Sequence, residues 1–299
     1  VINANTVLYL NRTAAAHAYF FMKGLLTEEA VKEIRRRYKI SFEEAKKDHE
    51  HLIFNISTLA QTEEVCPFSY LEIEKSEPFS HEISAPIRMD LALTFRCQND
   101  CIHCYAGGPH ETPELSTEDW KKVIDKLEDL GIFILTFTGG EPTLREDLPE
   151  LLTHCQKIGV VTGLITNGRR LKDASYVKRL VDAGLDFVQI TLESHIPEVH
   201  DAITETRGSW QETVEGIKTV LPTPIYITTN TTLNKMNAGN FLDTIQFIYD
   251  LGVRAFGCNS IIYSGKAPAV ADEFALSIDE LKDLPVSYTH LRAHETVLD

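Results

Sequence analysis

No stretch of the 299-residue chain approaches the run of roughly 20 apolar residues that a membrane span requires. Nor do the first residues show the basic, then apolar, then small-residue order of a secretory signal. Positive charge is scarce: 29 Lys and Arg stand against 44 Asp and Glu, a formal net charge of −15. That balance repels a phosphate backbone, so neither nucleic acid nor a membrane is expected as a partner. Six cysteines in a chain of this length are too few for an extracellular disulfide framework. The expected address is cytoplasmic and reducing.

What is present is an ordinary globular composition, 43% hydrophobic and 24% charged, enough for one large domain with a small appendage. Residues 1–65 form the appendage. Thr6–Asn11 suits a short strand, and Ala14–Lys23 is a helix-prone apolar run closed by Gly24. The segment from Thr27 has acids in its first turn, basic residues in its last, and Ala30, Val31 and Ile34 at helical spacing. A third helix is capped by Ser41, with Phe42, Ala45, His49, Leu52 and Ile53 on one face. Residues 66–87 hold three prolines and no sustained period, and read as a linker.

From Arg88 to about residue 285 the chain alternates strand and helix. Six apolar strands are expected near 89–95, 132–138, 160–166, 186–192, 224–233 and 253–263, five of them followed by a helix. Ser116 with Asp119 supplies a capping box, and Gly131 a helix stop. Buried strands alternating with helices imply a parallel sheet. The fold class is therefore α/β, a partial (β/α)6 TIM-like barrel, with its working site at the C-terminal ends of the strands. The chain begins at Val1 rather than methionine, so residues are expected in front of it. Residues 286–299 have no continuing period and resemble translated sequencing-adapter read-through, so His290 and His294 are not taken as a metal pair.

Three of the six cysteines fall within eight residues, as Cys97-x3-Cys101-x2-Cys104, directly after the first strand. Three thiols so close converge on a compact iron–sulfur centre or on one metal. Structural zinc wants four ligands, and no second C-x2-C pair exists here, although His103 lies inside the motif. Gly139-Gly140-Glu141 ends the second strand, where paired glycines permit close backbone approach. Thr166-Asn167-Gly168 ends the third. Gln189, Thr191 and Glu193 alternate along the fourth and point one way. Arg207 and Asn230 are weaker candidates. Cys155 and Cys258 read as core, Cys66 is unassigned, and His195 and His200 read as surface.

The C-x3-C-x2-C loop after the first strand, followed one βα unit later by GGE, resembles the signature of the radical S-adenosylmethionine (SAM) superfamily. CQNDCIHCY is especially similar to the members that modify peptides. The resemblance implies that Cys97, Cys101 and Cys104 ligate three irons of a 4Fe–4S cluster, the fourth iron being left for the amino and carboxylate groups of SAM. It implies reductive cleavage of SAM to a 5′-deoxyadenosyl radical, with an external electron donor such as flavodoxin or ferredoxin. Gly139, Gly140 and Glu141 take the role of binding the SAM amino group. Thr166, Asn167, Thr191 and Glu193 correspond to polar residues that approach the rest of the cofactor.

Residues 9–38 resemble the small winged-helix PqqD-like domain, which binds the leader of a precursor peptide by strand addition. Ile261–Ala267 (IIYSGKA) looks like the segment that precedes a cysteine-rich SPASM-type extension, which is absent from this sequence. The leading expectation is a maturase of a ribosomally made peptide. A radical SAM enzyme acting on a tetrapyrrole or cofactor precursor is the second, and a non-catalytic metal- or peptide-binding protein the third.

Overall fold

The structure, a computed structural model, describes residues 12–61, 70–71, 85–86, 88–108 and 113–282. The expected strand at Thr6–Asn11, Cys66, most of the 66–87 linker and the 286–299 tail lie outside the described residues. Two compact units divide the chain, Val1–Glu82 and Ile83–Asp299.

The described residues of the first unit include the helices α1 (Arg12–Met22), α2 (Thr27–Arg37) and α3 (Phe42–Gln61). Glu28 and Glu29 open α2 and Arg35, Arg36 and Arg37 close it, complementing the helix dipole. Its Ala30, Val31 and Ile34 are buried against Phe20 and Ala45. Ser41 Oγ accepts from the Glu44 N–H at 3.2 Å, which satisfies one of the free donors at the start of α3.

His17 and His49 meet inside this unit, both buried, with Nδ1 atoms 3.2 Å apart and ring centroids 5.3 Å apart. One Nδ1–H donates to the other's Nδ1 lone pair, so the accepting ring is neutral and protonating both rings would break the bond. Burial lowers both pKa values; Asp48 opposes it at His17, while the charge of His17 deepens the shift at His49 against Glu50. The unfolded chain therefore binds protons below about pH 6.5 that the folded unit refuses. Stability of this unit is expected to be full above that pH and to decline as pH falls through it. A urea titration at pH 7.5 and 5.5 should show the lower midpoint at pH 5.5, and H17L/H49L should lose that difference.

The second unit runs β1 (Arg88–Thr94), α4 (Thr117–Asp129), β2 (Ile134–Gly139), α5 (Leu148–Ile158), β3 (Val161–Thr166), α6 (Ala174–Asp182), β4 (Phe187–Thr191), α7 (Pro197–Ile203), α8 (Ser209–Val220), β5 (Tyr226–Thr232), α9 (Phe241–Leu251), β6 (Ala255–Asn259) and α10 (Ala267–Phe274). The six strands pair in chain order, every pair parallel. Ser116 Oγ accepts from Asp119 N–H at the start of α4, and Asp173 Oδ1 from Ser175 and Tyr176 N–H at the start of α6. Gly159 ends α5 at φ +81°.

Alternation along the strands sorts the two faces of the sheet. Leu135, Phe137, Leu164, Val188 and Ile190 pack with Leu151, Leu152, Leu180 and Ile217 of the helices. Register places Gln189 beside Thr228 and Thr191 beside Asn230 on the opposite, polar face. This is the parallel α/β sheet expected, with two additions. A helix, α7, follows β4 ahead of α8, and α10 follows β6, so all six strands lead into helices. Both are short, seven and eight residues, and start at or beside a proline, which masked their period in the sequence. No helix among the described residues is long and apolar enough to cross a membrane.

Candidate cofactor-binding site

The chain leaves β1 at Thr94 and enters the cysteine loop through Arg96. The end of β2 crosses directly beneath it. Gly140 N–H donates to Thr94 O at 2.7 Å and Glu141 N–H to Arg96 O at 2.8 Å. A Cβ on Gly139, whose φ is +132°, would lie 2.0 Å from Thr94 O, and one on Gly140 would lie 2.4 Å from Arg96 O. Only glycine permits this approach, so the pair fixes the backbone that presents Cys97. Arg96 is itself held by a two-pronged pair with Glu114, at 2.9 and 3.2 Å.

Glu141 is fully buried and its carboxylate faces β3. Its Oε1 accepts from Thr143 N–H (3.0 Å), Thr143 Oγ1 (2.6 Å) and Thr166 Oγ1 (2.8 Å), and its Oε2 from Asn167 N–H (2.8 Å). Burial pushes this carboxyl up against the pull of those four donors. Asn167 then carries the network back to the cysteines. Its Nδ2 lies 3.8 Å from Cys97 Sγ, which also takes Asn99 N–H at 3.4 Å, and its Oδ1 accepts from Gln98 Nε2 at 3.3 Å.

Glu193, just past β4, is also buried. Its Oε2 accepts from Thr232 N–H at 3.0 Å, while Oε1 stands 3.4 Å from His103 Nε2 and has no hydrogen-bond partner. His103 stacks on Phe274, centroids 5.8 Å apart. Thr191 is half-buried at the end of β4, opposite Asn230, whose Nδ2 donates to Asn259 Oδ1. His200 corrects the expectation of a surface residue: it is 1% exposed, and its Nδ1 accepts from Glu193 N–H at 3.1 Å. The histidine falls on the inner side of the short helix α7. Burial lowers its pKa, opposed by Glu193 and Asp201. His195 is half-buried against Thr244, and Arg207 is exposed. Cys155 lies in the core, and Cys258 packs on Leu233, Phe241 and Ile245.

Cys97, Cys101 and Cys104 are each partly buried. Burial pushes the Cys97 and Cys101 thiols up, with contributions from neighbouring carboxylates and from one another. A positive body is therefore needed to draw Cys97 and Cys101 off as thiolates. Three soft sulfurs at the C-terminal end of β1, backed by donors on Cys97, suit an iron–sulfur cluster. Among the described residues, no group of three or more His, Cys, Asp or Glu side chains is gathered about one point as a single metal ion demands. Glu193 Oε1, which faces His103 Nε2 at 3.4 Å without a hydrogen bond, is a buried acceptor available to a polar ligand.

The sequence profile of the radical SAM superfamily matches residues 91–248, just over half of the chain, and spans these motifs. The chain belongs to the radical SAM superfamily. The cofactors of that superfamily are a 4Fe–4S cluster and SAM. A PqqA peptide cyclase of Bradyrhizobium diazoefficiens is 30% identical over 225 residues, covering 71% of this chain and 58% of the cyclase. An Fe-coproporphyrin III synthase of Methanosarcina barkeri is 30% identical over 190 residues, covering 63% and 47%. Among solved structures, Streptococcus suis SuiB bound to precursor peptide SuiA superposes with a TM-score of 0.62 at 16% identity, over 95% of this chain and 64% of SuiB. That likeness speaks to the fold. SuiB is also known with SAM bound. The chain spans about half the length of the curated relatives it matches.

In this radical SAM chain, several residues around the loop carry no signal in the motifs. Arg169, after the TNG turn, donates from Nη1 to Gln98 O (3.0 Å) and Asn99 Oδ1 (2.7 Å), and from Nε to Glu212 Oε2 (2.5 Å). Lys266 reaches the loop from beyond β6, with Nζ on Asp100 O (3.0 Å) and Oδ1 (2.5 Å) and its backbone N–H on Cys104 O (2.9 Å). A Cβ on Gly265 would lie 2.2 Å from Cys104 O. Asp100 and Ile102 N–H also donate to Thr204 O and Ile203 O at the end of α7. Ile261–Ala267, the stretch likened to a lead-in for an extension, thus packs against the cysteine loop.

Proposed function

We propose that this chain carries the catalytic core of a radical SAM enzyme that modifies a ribosomally made precursor peptide. The observation that carries the enzymatic reading is the meeting of two motifs: the Gly139–Gly140 pair lies under Arg96, so the GGE turn and the cysteine loop form one platform. Cys97, Cys101 and Cys104 would hold three irons of a 4Fe–4S cluster. When bound, the cluster and SAM supply a one-electron cleavage that yields methionine and a hydrogen-abstracting 5′-deoxyadenosyl group.

The protein's part is placement. Gly139, Gly140 and Glu141 bind the SAM amino group, Glu141 through its Oε2, which takes a single hydrogen bond, and Glu141 also ties Thr166 and Asn167 to the platform. Thr191 and Glu193 approach the cofactor from β4, and the free Oε1 of Glu193 is the acceptor suited to one of its donors. A flavodoxin or ferredoxin supplies the electron, in a reducing cytoplasmic compartment. The helices of residues 1–65 serve as a PqqD-like module that recognises the peptide leader, and a SPASM-type extension belongs to the same branch.

The PqqA peptide cyclase relative favours a peptide substrate. The Fe-coproporphyrin III synthase relative, equally identical, supports a second reading with a tetrapyrrole or cofactor precursor as substrate. Two measurements separate these readings from each other and from a non-catalytic binding protein. Anaerobically reconstituted protein with SAM and dithionite should release 5′-deoxyadenosine; none, with zinc in place of iron, would leave a binding protein. Fluorescence anisotropy of the full chain with labelled peptides encoded beside its gene should show saturable binding; its absence, with SAM cleavage intact, favours the small molecule.

A further inference from the structure

The cysteine loop has two cationic side chains fastened to its backbone, one from each side. Neither belongs to the motifs that place the cofactors. Arg169 donates to Gln98 O and Asn99 Oδ1, between the first two cysteines, and is anchored in turn on Glu212. Lys266 donates to Asp100 O and Oδ1, immediately before Cys101, and its backbone holds Cys104 O. The three residues separating Cys97 from Cys101 are thus each tied by a charge-assisted bond.

We infer that Arg169 and Lys266 form a clamp that orders the cysteine loop before iron arrives. The inference rests on reading this loop as the cluster site. Geometry makes the clamp effective. Loops without such ties open locally at little cost; besides the clamp, Asp100 and Ile102 have backbone bonds to the end of α7, and Ile102 packs on the cluster of Ile203, Ile261, Ala267 and Phe274. Arg169 and Lys266 are positioning residues: they touch the loop, and act on the cluster through it.

The test uses metal-free, reduced full-length protein, so it does not depend on whether the loaded chain cleaves SAM. Site-resolved alkylation with iodoacetamide, followed by mass spectrometry, reports each thiol separately, with core Cys155 as the internal reference. K266M should raise the rates at Cys101 and Cys104, and R169M the rate at Cys97, each by about tenfold, the equivalent of one charge-assisted bond released. K266R should restore protection. On reconstituted protein, K266M should also move the midpoint potential of the cluster to a lower value, and K266R should leave it at the wild-type value. Unchanged alkylation rates would overturn the clamp. So would a parallel rise at Cys155, which would mark general unfolding rather than release of the loop.

Discussion

Cys101→Ala is expected to bring iron–sulfur absorbance and 5′-deoxyadenosine release down to the level of a blank, while the fold survives. Cys101 is the middle ligand of the three, and it is the one most strongly pushed up by burial and by its neighbours. Cluster assembly must therefore draw off its proton, and two remaining sulfurs leave a cluster with two open corners. The cost to folding is small, about 1 kcal/mol, because the loop lies at the rim and the apolar core is built from other residues. Iron analysis and a urea titration of the same preparation check both halves. Wild-type turnover in the variant would show the ligands to be misassigned.

Glu141→Ala is expected to have the opposite profile, striking stability first and the cofactor second. The carboxylate takes four hydrogen bonds at zero exposure, from the turn after β2 and from the end of β3. Truncation leaves two buried backbone N–H groups and two hydroxyls without their acceptor. Removing one member of a buried charged network costs roughly 3–5 kcal/mol. Glu141→Gln keeps one acceptor oxygen for Thr143 and Thr166 but turns an NH2 group toward Asn167 N–H, so about half of that loss is expected. Asn167 also supports Cys97, so both variants should take up iron less tightly in proportion to their loss of stability. A Glu141→Ala protein as stable as wild type would mean that the carboxylate is not the tie between β2 and β3.

The elements that were legible in the sequence are those whose signal is local. Six strands show as apolar runs bounded by turn residues, and Ser116, Gly131 and Gly159 mark helix ends by capping chemistry that acts within four residues. The cysteine cluster shows because all three thiols share one loop. What the sequence hides is direction and distance. The bond from Thr166 to Glu141 spans two strands, a meeting fixed by the register of β2 on β3. His200 looks like a surface residue because α7 is too short to display a period, and only the fold brings it under Glu193. Arg169 and Lys266 meet the loop across 70 and 166 residues of chain, a separation at which spacing carries no information.

The most direct measurement is iron and acid-labile sulfide analysis, with Mössbauer spectroscopy, on the chain reconstituted without oxygen. About four irons and four sulfides per chain are expected, with one iron site perturbed when SAM is added. A preparation that binds zinc instead, or iron without sulfide, would contradict the assignment of Cys97, Cys101 and Cys104 as the ligands of a 4Fe–4S cluster.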